Sequence, residues 1–211
     1  DTTSAAFVVL TPSKGATPTL RADLVDRLAA LAPTATAHAL SVSQTAKTLK
    51  QTDRNVIICA PAGTTDIALT AARDYPDVID AIVLIDPEPA KTQSPFALFS
   101  GLAMLSSLGL AMTRQLRSKH TPSTERNRAV KQPTLLLSYN HITTKRTAYT
   151  HRLQTELGGL VELAGLDQSP GAKGDQETDR IAAFAKSVLA SKKKSRRSAI
   201  ARSQAKKKCA A

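Results

Sequence analysis

Ile79 to Ile85, apolar except for Asp80, sets the fold class of this chain. A strand that is apolar on both faces must be covered on both, as in a parallel sheet flanked by helices. Two similar runs precede it, Ala6 to Leu10 and Val56 to Cys59. Between them Leu20, Leu24, Leu28 and Leu31 recur at helical spacing, which predicts a helix from Thr19 to Ala32 that Pro33 ends. A weaker strand is expected over Ala35 to Val42, a short helix or turn over Thr45 to Gln51, and a helix over Thr65 to Arg73. Later come strands Thr134 to Ser138 and Gly159 to Leu163, with helices Thr147 to Leu157 and Asp179 to Ala190. Strands alternating with helices imply βαβ crossovers, hence a three-layer α/β/α sandwich on a mostly parallel sheet.

Length and charge divide the chain. At 211 residues it suits one domain of ordinary size. The net charge is +12, but nine of the 29 Lys and Arg residues and none of the acids fall after Ala190. The expected organisation is a body over 1–190, with a reduced lid region at 91–130, and a basic extension over 191–211. Two cysteines, Cys59 and Cys209, argue against a disulfide framework or a CxxC-type zinc site. The loops hold neither a GxGxxG fingerprint nor a P-loop, so no cofactor is expected. His38, His120, His141 and His151 share no metal-ligand spacing, and no metal is expected either.

Asn55 to Thr64 reads as a buried strand, a tight turn and a helix start. This is the layout small-x-nucleophile-x-small, with Cys59 and Gly63 as the small positions and Pro61 where a nucleophile belongs. Proline has no hydroxyl, thiol or N–H, so it cannot attack a carbonyl. The helix Asp66 to Arg73 is followed by Tyr75-Pro76-Asp77-Val78 and a strand ending in Ile85-Asp86-Pro87. With Gln132 to Leu137 and Ile181 to Leu189, these segments resemble the α/β-hydrolase superfamily over most of residues 6–190. The chain begins at what would be the family's third strand, so a truncated version of the fold is implied.

The resemblance also implies an acid just after the Leu137 strand and a histidine after the last strand. Asn140-His141-Ile142-Thr143 contains no carboxylate, and Gly165 to Ser169 contains no histidine. The oxyanion loop reads Pro12-Ser13-Lys14-Gly15. A degenerate, catalytically inactive member is therefore expected. A working enzyme would need an unorthodox nucleophile: Cys59, Ser13 or a threonine of the elbow. Cys59 reads as an inert buried thiol. Asp86 and Glu88 read as turn formers or a remnant pocket, and Thr64 and Thr65 as helix caps.

Two segments suggest partners. Phe96 to Met112 is apolar, with Phe96, Leu98, Phe99, Leu102 and Leu105 available to form a lid, a protein contact or a membrane-surface contact. Lys192, Lys193, Lys194, Arg196, Arg197, Arg202, Lys206, Lys207 and Lys208 form an anion-binding tail suited to ribosomal RNA or anionic lipid. Together these predict a non-catalytic supernumerary subunit of a large mitochondrial assembly, in the matrix or on the matrix side of the inner membrane. A ribosomal role comes first, a respiratory-chain or other inner-membrane complex second, and a hydrolase with an unorthodox nucleophile is the opposing reading.

Overall fold

The computed structural model describes residues 4–11, 19–89, 123–139, 144–166 and 173–209. Six strands form one parallel sheet: β1 (Ala5–Leu10), β2 (Thr34–Ala37), β3 (Asn55–Ala60), β4 (Ile79–Ile85), β5 (Thr134–Tyr139) and β6 (Val161–Leu166). Their spatial order is β2-β1-β3-β4-β5-β6. The helices are α1 (Thr19–Ala29), α2 (Val42–Gln51), α3 (Thr65–Asp74), α4 (Ser123–Arg128), α5 (Thr144–Glu156) and α6 (Lys173–Cys209).

Alternation along each strand splits the core in two. Phe7, Val9, Ile57, Cys59, Val83, Leu135 and Leu137 pack against α1 and α6 through Leu24, Leu28, Ile181, Phe184 and Val188. Val8, Ile58, Ile82, Leu84 and Leu136 face the other way, against Val42 and Ala46 of α2, Ala68 and Leu69 of α3, and Leu153 of α5. The architecture is the expected α/β/α sandwich, and the covered faces explain why β1, β3 and β4 are so apolar.

Several boundaries differ from expectation: α1 ends at Ala29 rather than Ala32, α5 begins at Thr144 rather than Thr147, and β6 begins at Val161 rather than Gly159. β2 stops at Ala37, because the His38 carbonyl accepts from both the Ser41 and Val42 N–H groups at 3.0 Å and turns the chain. Val42 then becomes the first residue of α2 rather than the end of a strand. β6 extends to Leu166, because it pairs with β5 as far as Tyr139. The last helix is far longer than Asp179 to Ala190: α6 runs without a break from Lys173 to Cys209. Alanines among its charges favour helix strongly enough to carry it past the sheet.

α6 is fastened to the far edge of the sheet. Asp80, the second residue of β4, is buried. Its carboxylate accepts from the Val56 N–H at 2.7 Å and from Lys50 Nζ at 2.7 and 2.9 Å, and it is ion-paired with Lys192. Lys192 Nζ also lies 3.4 Å from Asn55 Oδ1. Thus the one acid in the β4 run joins α2, β3 and α6 where the strands begin. Among the described residues, no helix is long and apolar enough to cross a membrane.

Candidate functional site

Parallel strands end on a common edge, and side chains just beyond their ends line a shared crevice. Val9 pairs with Cys59, and Leu10 pairs with Ala37. Continuing each ladder past the strand ends places Thr11 level with both Pro61 and His38. Thr11 Oγ1 lies 2.7 Å from His38 Nδ1 and 3.3 Å from the Ala37 carbonyl oxygen. Thr11 is half-buried and His38 exposed. A hydroxyl at this distance from an imidazole nitrogen meets the geometric requirement of a nucleophile–base pair. It is productive in the tautomer that keeps Nδ1 unprotonated, since the hydroxyl then donates to it.

The elbow next to this pair retains its shape without its nucleophile. Gly63 has φ +82°, a left-handed conformation that favours glycine. The Pro61 carbonyl accepts from the Thr64 N–H at 3.0 Å and from Thr64 Oγ1 at 2.7 Å, which closes the turn into α3. Neither threonine caps α3 as expected. Thr64 spends its hydroxyl on Pro61, and the buried Thr65 Oγ1 has no hydrogen-bond partner. The Ala62 N–H follows the nucleophile position, where an oxyanion donor is needed. It has no hydrogen-bond acceptor among the described residues.

Cys59, directly below, is fully buried, and burial together with the Glu177 carboxylate pushes its thiol pKa far up. A thiol held neutral is a poor nucleophile, so the inert reading stands. Asp86 is no simple turn former. It adopts φ 53°, accepts from the Tyr139 N–H at 3.3 Å, and lies 3.6 Å from Arg146 Nη1. Arg146 also forms an ion pair with Glu88.

Glu177, on the first turns of α6, accepts a hydrogen bond from the Tyr139 hydroxyl at 3.2 Å. Burial pushes its carboxyl up to about 7, opposed by the Tyr139 hydrogen bond and by Arg27, and reinforced by Asp86 and Asp23. The folded chain therefore holds this proton more tightly than the unfolded one. Its contribution to stability is fully present below the ordinary value of 4.5 and is lost as pH rises through about 7. Glu177→Gln stays neutral and keeps an acceptor for Tyr139. Relative to the parent, the variant should gain on the order of 3 kcal/mol between pH 4.5 and pH 8. Thermal unfolding at both pH values checks this; equal gains at both would refute it.

No protein-family model matches the chain, and no curated protein matches it. Solved structures do. Est1E from Butyrivibrio proteoclasticus superposes with a TM-score of 0.61 at 12% identity, covering 90% of each chain. The metagenome-derived lipolytic enzymes LipS and LipT give 0.58 at 14% identity, covering 88% of this chain and 95% of theirs. An α/β hydrolase from Sphaerobacter thermophilus gives 0.56 at 15% identity, covering 86% and 93%.

The chain has the α/β-hydrolase fold.

Two expectations are corrected by this likeness. The empty triad positions predict an inactive domain, and the tail predicts a non-catalytic subunit of a ribosomal or respiratory assembly. The structures that share this fold include lipolytic enzymes, which runs against reading the fold as that of a non-catalytic subunit. The physical reason lies at the elbow. Pro61 removes one hydroxyl but leaves the turn, the Ala62 N–H and an adjacent hydroxyl–imidazole pair in place.

The site residues read from sequence fare differently. Pro61 stands in the turn between β3 and α3. Lys192 is engaged with Asp80 inside the domain. Lys193, Arg196, Arg197, Arg202, Lys206, Lys207 and Lys208 lie on the α6 backbone, with side chains outside the described set, and Lys194 is exposed. Ser13, the segment Phe96 to Met112 with Leu98, Phe99, Leu102 and Leu105, the stretch 140–143, His120 and His141 fall outside the described residues. Gly165 and Leu166 close β6, and 167–169 also fall outside. Among the described residues, no group of His, Cys, Asp or Glu could hold a metal ion. The Thr11–His38 pair escaped the sequence because 27 residues separate its members. Only the β1–β2 pairing brings them together.

Proposed function

We propose that the chain is a carboxylic-ester hydrolase in which Thr11 replaces the elbow residue as nucleophile. The observation that carries this reading is the 2.7 Å contact between Thr11 Oγ1 and His38 Nδ1, one strand away from Pro61. Thr11 Oγ1 attacks the ester carbonyl carbon while His38 Nδ1 takes its proton. The carbonyl oxygen becomes an oxyanion facing the Ala62 N–H, a donor fixed by the backbone before reaction begins. Collapse breaks the ester C–O bond, and the departing alkoxide takes the proton from His38. A water molecule, deprotonated by His38, then attacks the acyl-threonine; the acid leaves and Thr11 recovers its proton.

The likeness to lipolytic enzymes and Est1E supports an ester as substrate. A secondary hydroxyl and a histidine whose hydrogen bonds go to Thr11 and Ser41 rather than to an acid among the described residues support slow turnover, since orientation of the base carries part of the rate in such sites.

Labelling tests the assignment. The full chain is treated with a fluorophosphonate and digested, and the adduct is mapped by mass spectrometry. The expected adduct sits on Thr11 and is suppressed by an excess of p-nitrophenyl butyrate. An adduct on another residue, or an unlabelled chain that releases no p-nitrophenol above the buffer rate, overturns the proposal.

A further inference from the structure

We infer that the last part of α6, residues 193–209, is a binding site for double-stranded nucleic acid, held through its phosphate backbone. This inference is independent of the ester-hydrolase reading.

Direction comes first. Tyr139 ends β5, so its partner Glu177 marks the edge where the strands finish. Asp80 and Asn55 stand at the starts of β4 and β3, so Lys192 marks the opposite edge. The fifteen residues from Glu177 to Lys192 span about 22 Å of helix at 1.5 Å each, close to the length of a six-residue strand. α6 thus crosses the whole sheet antiparallel to its strands. The last α6 residues in the core are Val188 and, partly buried, Leu189. Beyond the Lys192–Asp80 contact, seventeen helical residues continue for about 25 Å.

Charge comes second. Those seventeen residues hold eight Lys and Arg and no acid. At 100° per residue the eight cationic positions fall on every side of the axis; Ala201, Ala205 and Cys209 align at i, i+4 and i+8 but make only a narrow strip of small residues, and Ala199 and Ile200 lie off it. A membrane surface is planar and meets one side of a helix, and binding in its plane relies on an apolar face that this segment lacks. A duplex groove presents phosphates on both flanks of a helix lying in it, and the major groove of B-form DNA admits an α-helix, whereas that of A-form RNA is deep and narrow. About 25 Å of duplex carries roughly fifteen phosphate charges, so eight cations match about half of them. The segment has no aromatic residue for stacking and offers only charge, which predicts binding without sequence preference.

Fluorescence anisotropy of the full chain with a 20-base-pair DNA duplex and its RNA counterpart, from 50 to 200 mM salt, tests the inference. The expected log–log slope is about −4 to −6, an affinity loss of roughly 10³-fold across the range. The triple variant K206Q/K207Q/K208Q should fold as the parent does and flatten the slope by about 3. A slope near zero, or a triple variant that binds like the parent, overturns the inference. So does capture of the chain by phosphatidylserine vesicles with no binding to either duplex. The readout needs no ester turnover, so a failed hydrolase assay leaves it standing.

Discussion

Thr11→Ala should lower kcat/KM for a p-nitrophenyl ester by about 10³-fold, and His38→Ala by about 10²–10⁴-fold. The two residues act as a unit, so the double variant should be hardly worse than the weaker single one. Initial-rate kinetics on all three variants checks this. Thr11→Ser is the decisive companion. It keeps the hydroxyl, relieves the crowding of the β-branched carbon, and should retain at least the parent rate. A merely structural Thr11 gives a different pattern. Its hydroxyl also reaches the Ala37 carbonyl at 3.3 Å, so its loss would cost about 1 kcal/mol of stability while leaving turnover per folded molecule unchanged. Undiminished turnover in Thr11→Ala would remove the nucleophile from this edge of the sheet.

Ile58→Ala should be the most destabilising of the substitutions proposed. Ile58 is fully buried in the middle of β3, with Val8 on one neighbouring strand and Ile82 on the other. It packs into the core that α2, α3 and α5 cover. Truncation forfeits the transfer free energy of the removed carbons and leaves a cavity that three rigid strands cannot close. The expected cost is about 4 kcal/mol. For a chain of this size that lowers the melting temperature by about 10 °C. Ile58→Val removes one methylene and should cost about 1 kcal/mol. Thermal unfolding of the pair distinguishes them. Equal melting temperatures would mean that the β3 environment is looser than its burial indicates.

The fold was legible where a single periodic signal sufficed. β1, β3 and β4 follow from their apolar runs, and the covered sheet follows from those strands. The elbow was legible because its requirements are local: small residues at 59 and 63, and a left-handed turn that Gly63 supplies. Legibility failed where the information is non-local. His38 looked like one of four unconnected histidines until β2 was paired with β1. Glu177 lay ahead of the expected start of the last helix, and nothing nearby in sequence signals that Tyr139, 38 residues away, will meet it. Lys192 read as one cation among nine because the acid that binds it is 112 residues earlier. The expected acid position, 140–143, and most of the expected histidine position, 167–169, lie outside the described residues, and the inference to inactivity rested on those positions and on Pro61 alone.

The course of α6 has a consequence for handling the protein. A surface, bead or fusion partner joined beyond residue 209 meets the molecule at the edge where the strands start. Thr11 and His38 sit where the strands finish. Attachment at the end of α6 therefore orients every molecule alike, with the edge where the strands finish turned outward to the bulk. Coupling through random surface lysines would scatter the orientations and bury a share of the sites against the support.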